Sequence, residues 1–125
     1  MRYALLLNYA EDGAADISEE DMAQWLAAFD DYAKALDAAG VLVAADVLQS
    51  TAASTTVTLR NGSLQVQDGP FADTKEQLAG VFLVDVPDLD AALAWAEKCP
   101  AAQWGTIEIR PTAVYFSGGK WNQAA

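Results

Sequence analysis

Histidine is absent from these 125 residues, and cysteine occurs once, as Cys99. Without histidine the usual general base is missing, and so are Ser-His and Cys-His nucleophile pairs. The commonest transition-metal ligand and the usual proximal haem ligand go with it. A lone cysteine cannot form an internal disulfide or a multi-thiolate metal site. At the C-terminal end of a helix, beside Pro100, it gains no thiolate stabilisation from the helix dipole and is not read as a nucleophile. Bases are scarce: 7 Lys and Arg stand against 18 Asp and Glu, a formal charge of −11. Nucleic-acid affinity comes mostly from basic groups that neutralise phosphates, so neither nucleic acid nor an anionic membrane surface is an expected partner. No segment approaches the ~20 apolar residues of a membrane span. The opening apolar run, Ala4-Leu5-Leu6-Leu7, is too short for a signal peptide, so a cytoplasmic location is expected. Phosphate-cradling glycine loops, dinucleotide fingerprints and nucleophile elbows are all missing.

What is present is a globular composition, 53% hydrophobic and 20% charged, of a length that suits one domain with one core. Many of the apolar residues are alanines, so four Trp, four Tyr and four Phe must supply much of that core. Nine of the eighteen carboxylates fall between Glu11 and Asp37, opposed only by Lys34. A solvated helix face explains this cluster more simply than a partner surface.

Arg2 to Tyr9 reads as a first strand, followed by a polar loop from Glu11 to Asp16. Ser18 is placed to cap a long amphipathic helix, with Asp21 three positions on and Gly40 as its stop. Met22, Trp25, Leu26, Phe29, Ala33 and Leu36 form its apolar stripe, which is expected to pack on the core rather than hold a cofactor. Val41 to Leu48 suits a second strand. Asn61-Gly62 between alternating runs predicts a hairpin with a type I′ turn. Its register would set Arg60 against Ser63, Leu59 against Leu64 and Val57 against Val66, with Asp68 near Thr55. Val81 to Val86 is a further strand. Asp88 caps a second helix with Leu89, Ala92, Leu93 and Ala96 on one face, and Thr106 to Arg110 makes a final strand. Ala113 to Phe116 extends it, and a loosely held tail is expected over 117–125, leaving a domain of 1–116. This order makes two βαβ-like halves, an α+β fold with a ferredoxin-like antiparallel sheet and both helices on one face. The other face would be open, which makes a homodimer the expectation.

Asp68-Gly69-Pro70-Phe71, followed by Ala72-Asp73-Thr74-Lys75-Glu76-Gln77-Leu78-Ala79-Gly80, resembles the signature of DGPF proteins in the YCII-related family. The opening Tyr3 to Leu7, the helix exit Ala38 to Leu42, Val84 to Asp90 and Glu108 to Pro111 agree, so the resemblance runs from about Met1 to Pro111. It implies a ferredoxin-like dimeric α/β barrel with a pocket in each subunit. Relatives often lie beside, or are fused to, extracytoplasmic-function sigma factors. The His and Asp pair proposed for the YCII branch has no counterpart here, because histidine is lacking.

Within the signature, Pro70 fixes its own φ and pushes Gly69 out of the α region. Asp68 beside that turn suits either an Asx-turn acceptor or a pocket carboxylate, with Lys75 or Arg110 as a nearby cation. Phe71 reads as a core plug before a ligand platform, and Lys75 as a local partner of Asp73 or Glu76 before an anion anchor. For Arg110 a salt bridge is the simpler role, and the Tyr9 hydroxyl could face a pocket. Two functions follow. One is a small dimeric ligand-binding or regulatory module tied to sigma-factor-linked transcription, and needing no cofactor. The other is a cofactor-free enzyme acting on a small polar or anionic molecule, with Asp68 as acid/base.

Overall fold

The computed structural model describes residues 1–11 and 18–124, so all of the loop expected over Glu11 to Asp16 except Glu11 itself lies outside the described residues. A four-stranded antiparallel sheet is built from β1 (Arg2–Tyr9), β2 (Leu42–Val47), β5 (Gln77–Asp85) and β6 (Thr106–Pro111), in the order β2-β5-β1-β6. Because β1 and β2 both run antiparallel to β5, they are parallel to each other with β5 between them. This is the split βαβ arrangement, and the described residues fit a ferredoxin-like α+β fold. No described helix is long and apolar enough to cross a membrane.

Helix α1 (Glu19–Ala38) begins where Ser18 accepts the Asp21 N–H at 3.1 Å and where Glu19, Glu20 and Asp21 face the positive helix end. It ends in a paired closure: Gly40, at φ +73°, donates to Asp37 O, and Val41 donates to Leu36 O. Its buried residues are Phe29, Tyr32 and Leu36, with Trp25 and Ala33 packed against the same core. Leu26 and Met22, expected in the stripe, are instead exposed. The inward face is turned away from Met22 and Leu26 and includes Tyr32, which the apolar sequence pattern left out. Helix α2 (Leu89–Lys98) starts on Asp88, which accepts the Ala91 N–H at 2.9 Å, and buries only Ala92 and Ala96. Leu89 and Leu93 lie half exposed, while Ala91 and Trp95 of the same helix pack partly against the core.

Tyr3, Leu5 and Leu7 of β1 and Phe82 and Val84 of β5 meet both helices in one core. Both helices therefore cover the same sheet face. Ring contacts tie the layers together, with Tyr32 and Phe82 centroids 5.3 Å apart and Phe29 and Phe82 centroids 6.3 Å apart. The Tyr32 hydroxyl donates to Trp95 O of α2 at 2.8 Å, so the buried tyrosine also joins the two helices. On the opposite face the register sets Asp46, Val81, Leu6 and Glu108 in one row and Ala44, Leu83, Ala4 and Arg110 in the next. Its centre is aliphatic and its edges are charged.

Two hairpins stand apart from this sheet. β3 (Thr55–Arg60) and β4 (Ser63–Asp68) pair in the expected register, from Arg60 opposite Ser63 to Thr55 opposite Asp68. β7 (Val114–Ser117) and β8 (Lys120–Gln123) form the second, closed by Gly118 and Gly119 at φ +64° and +76°. The segment after Ser117 was expected to be a loose tail. It is a paired strand, because two successive left-handed glycines reverse the chain and Phe116 meets Trp121 edge-on at 5.3 Å.

Candidate functional site

The β3–β4 hairpin separates its residues by alternation. Asn61 and Gly62 take left-handed φ values of 50° and 76°, as the tight turn demands, and this fixes which residues share a face. Val57, Leu59, Leu64 and Val66 fall on one side with Thr55 and Asp68. Thr56, Thr58, Arg60, Gln65 and Gln67 fall on the other. Past Asp68 the chain folds back through Gly69, at φ +107°, where a side chain would be strained. Gly69 N–H donates to Ser54 O at 2.8 Å, and the Thr56 hydroxyl donates to Gly69 O at 2.6 Å. These bonds hold Pro70 and Phe71 over the polar face. Together they enclose a groove of about 220 Å³ lined by Thr56, Thr58, Arg60, Gln65, Gln67, Pro70 and Phe71.

Among the described residues no carboxylate lines this groove, although the chain carries 18 of them. Its one charge is Arg60. Arg110 pairs with Glu108, and the Arg2 guanidinium lies 3.8 Å from the Tyr115 ring centroid. Among the described residues, Arg60 is thus the arginine with neither a carboxylate nor an aromatic partner. The groove offers a free guanidinium fork at its turn end, an aromatic ring at its base, and hydroxyls and amides between them. It can hold a polar or anionic small molecule, and it contains no group able to act as a general base near neutral pH.

The residues singled out in sequence are not gathered at one place. Phe71 does line the groove, but it is 94% exposed rather than a core plug, because the Gly69-Pro70 turn carries it outward. Asp68 lies on the aliphatic side of the hairpin, away from the groove. Its carboxylate accepts no hydrogen bond among the described residues, so Ser54 and Thr56 hold the turn in place of an Asx-turn. Lys75 is exposed and forms no ion pair with Asp73 or Glu76 among the described residues. Arg110 makes its salt bridge within β6, on the open sheet face. Tyr9 packs on the helix side, edge-on to Trp104 at a centroid distance of 6.5 Å. Burial first, then the Glu11 carboxylate and the Cys99 thiol, raise its pKa above the usual tyrosine value.

A second polar cluster was not foreseen. Glu11 accepts both the Thr51 N–H and the Thr51 hydroxyl at 2.8 Å, and its own N–H donates to Gln77 Oε1 at 3.3 Å. Glu76 accepts the Thr106 hydroxyl at 3.1 Å. Every one of these groups has a protein partner, so the cluster ties loops to the end of β1. Its signal in sequence is weak, since Glu11 finds Thr51 forty residues away. Among the described residues no group of three or more Cys, Asp or Glu side chains is placed to hold a metal ion. Cys99 is buried, and that burial raises its thiol pKa.

A protein of Rhizobium meliloti, described as uncharacterized, is 44% identical over 73 residues, which are 57% of this chain and 59% of that protein. The match therefore spans somewhat under two thirds of the relative's own length. The model of the YCII-related domain matches residues 1–114, which include the whole four-stranded sheet, both helices and the hairpin that carries the groove. The chain belongs to the YCII-related family.

Proposed function

We propose that this protein is a small dimeric ligand-binding module whose ligand lies in the groove between the β3–β4 hairpin and Pro70-Phe71. The observation that carries the reading is the composition of that groove among the described residues: one unpartnered arginine, one exposed phenylalanine, hydroxyls and amides, and no acid in a chain of net charge −11. A ring left 94% exposed gains nothing from the fold, whereas contact with a ligand would remove it from water. Dimerisation is supported by two aliphatic surfaces, the exposed hairpin face of Val57, Leu59, Leu64 and Val66 and the half-buried sheet face around Ala4, Leu6, Val81 and Leu83. A dimeric α/β barrel would cover the second. A regulatory role linked to sigma factors, and a cytoplasmic location, are carried by the family resemblance and the composition.

The enzymatic alternative, with Asp68 as acid/base, has no observation in its favour. That carboxylate is exposed and on the wrong side of the hairpin for the groove. The deciding experiment is a thermal-shift screen of small polar and anionic metabolites against the wild type and Phe71→Ala. A compound that stabilises the wild type and loses its effect in the variant supports the reading. If every stabilising compound acts equally on both, the groove is not the site.

A further inference from the structure

Resting on the reading of the groove as a ligand site, we infer that its ligand class is a small planar ring bearing an oxyanion, a carboxylate or a phosphate. The two ends of the groove differ in chemistry. At the base, the Thr56–Gly69 hydrogen bond sets Pro70 and Phe71 beside Thr56 and Gln67. At the turn end stands Arg60, four positions along β3 and lining the same groove as Phe71. An exposed phenyl face prefers an offset or edge-on ring. A guanidinium fork prefers a planar, two-oxygen anion and binds it with charge-assisted hydrogen bonds.

Size narrows the class. A groove of about 220 Å³ lies below the ~300–1,000 Å³ usual for drug-sized ligands, which suits one ring and one anionic group. Charge narrows it further. Among the described residues Arg60 pairs with no carboxylate, so it attracts an anion that most of this acidic surface repels. Thr58, Gln65 and Gln67 supply donors and acceptors between the ends and would orient ring substituents.

Benzoate, phenyl phosphate, benzyl alcohol and inorganic phosphate serve as probes, titrated into the full chain and followed by the backbone amide resonances of residues 56–67. Benzoate or phenyl phosphate should shift the signals of Thr58, Arg60, Gln65 and Gln67 saturably. The preference between those two identifies the anion as carboxylate or phosphate. Benzyl alcohol and inorganic phosphate should each bind at least about tenfold more weakly. Arg60→Gln should weaken the better probe about tenfold and Phe71→Ala several-fold, with the melting temperature of both variants unchanged, since both side chains are exposed. Equal binding of benzyl alcohol and benzoate, wild-type affinity in Arg60→Gln, or no response to any of the four probes would each overturn the inference. A screening hit that depends on Phe71 but not on Arg60 would keep the groove as the site and overturn this ligand class alone.

Discussion

Tyr32 is the side chain through which α1, α2 and the sheet meet, since its ring lies on Phe82 and its hydroxyl donates to Trp95 O. Tyr32→Phe should cost about 1 kcal/mol in chemical denaturation, the net value of one buried hydrogen bond. The same residue sets an alkaline limit. Burial raises the pKa of Tyr32, and of Cys99 and Tyr9, above the ordinary values, so the folded chain keeps protons that the unfolded chain releases. Their contribution to stability is complete below the unfolded pKa and is lost as pH rises past it. Stability should therefore fall from about pH 8.5, where an unfolded thiol ionises, and more steeply beyond about pH 10, where tyrosine does. Cys99→Ala should flatten the first part of that decline and Tyr32→Phe the second, read as free energy of unfolding against pH. Asp68 belongs at the other extreme. Exposed and without a hydrogen bond, it should tolerate Asn or Ala within about 0.5 kcal/mol. A loss of 2 kcal/mol on changing Asp68 to Ala would restore the turn-holding role that its position in the signature first suggested.

Between β1 and β6 the backbones approach closely at Gly105, where an added Cβ would run into the Asn8 carbonyl oxygen and stand 2.8 Å from Tyr9 Cβ. Since the obstruction is largely backbone, Gly105→Ala should cost about 3 kcal/mol or more and lower the melting temperature accordingly. At the helix stop the cause is different. Gly40 has φ +73° and nothing within 4 Å, so Gly40→Ala should cost only about 1 kcal/mol of backbone strain. Elements set by local chemistry were legible in the sequence. The Asn61-Gly62 turn dictated the whole β3–β4 register, and Ser18 and Asp88 marked both helix starts. What depended on distant partners was not. Periodicity alone does not tell whether Leu26 or Tyr32 lies on the inward side of α1, and only the packed sheet decides it. The polar members of the groove were visible as an alternation, yet nothing local showed that Pro70 and Phe71 would fold back over them. The second hairpin was hidden because its glycines read as a chain end rather than as a turn.

For the molecule as a whole, uncovered aliphatic surface and a charge of −11 act in opposite directions, the first favouring self-association and the second opposing it. A dimer joined through the aliphatic parts of these faces satisfies both. Light scattering at micromolar concentration should give twice the monomer mass, and amides of β3 and β4 should gain hydrogen-exchange protection as concentration rises. A monomer mass with fast exchange in that hairpin would end the dimer proposal. The strand order has a further consequence, for the time at which the fold can form. β1 is made first, yet it pairs only with β5 and β6, so that Arg2 must find Asp85 and Tyr3 must find Pro111. The β3–β4 hairpin and α1 can form from neighbouring residues, but β1 (Arg2–Tyr9) has no partner until β5 (Gln77–Asp85) is made. Such long closures slow folding. On the ribosome, Leu5-Leu6-Leu7 would stay unpaired through most of synthesis, an apolar stretch for a chaperone to shield until β5 emerges.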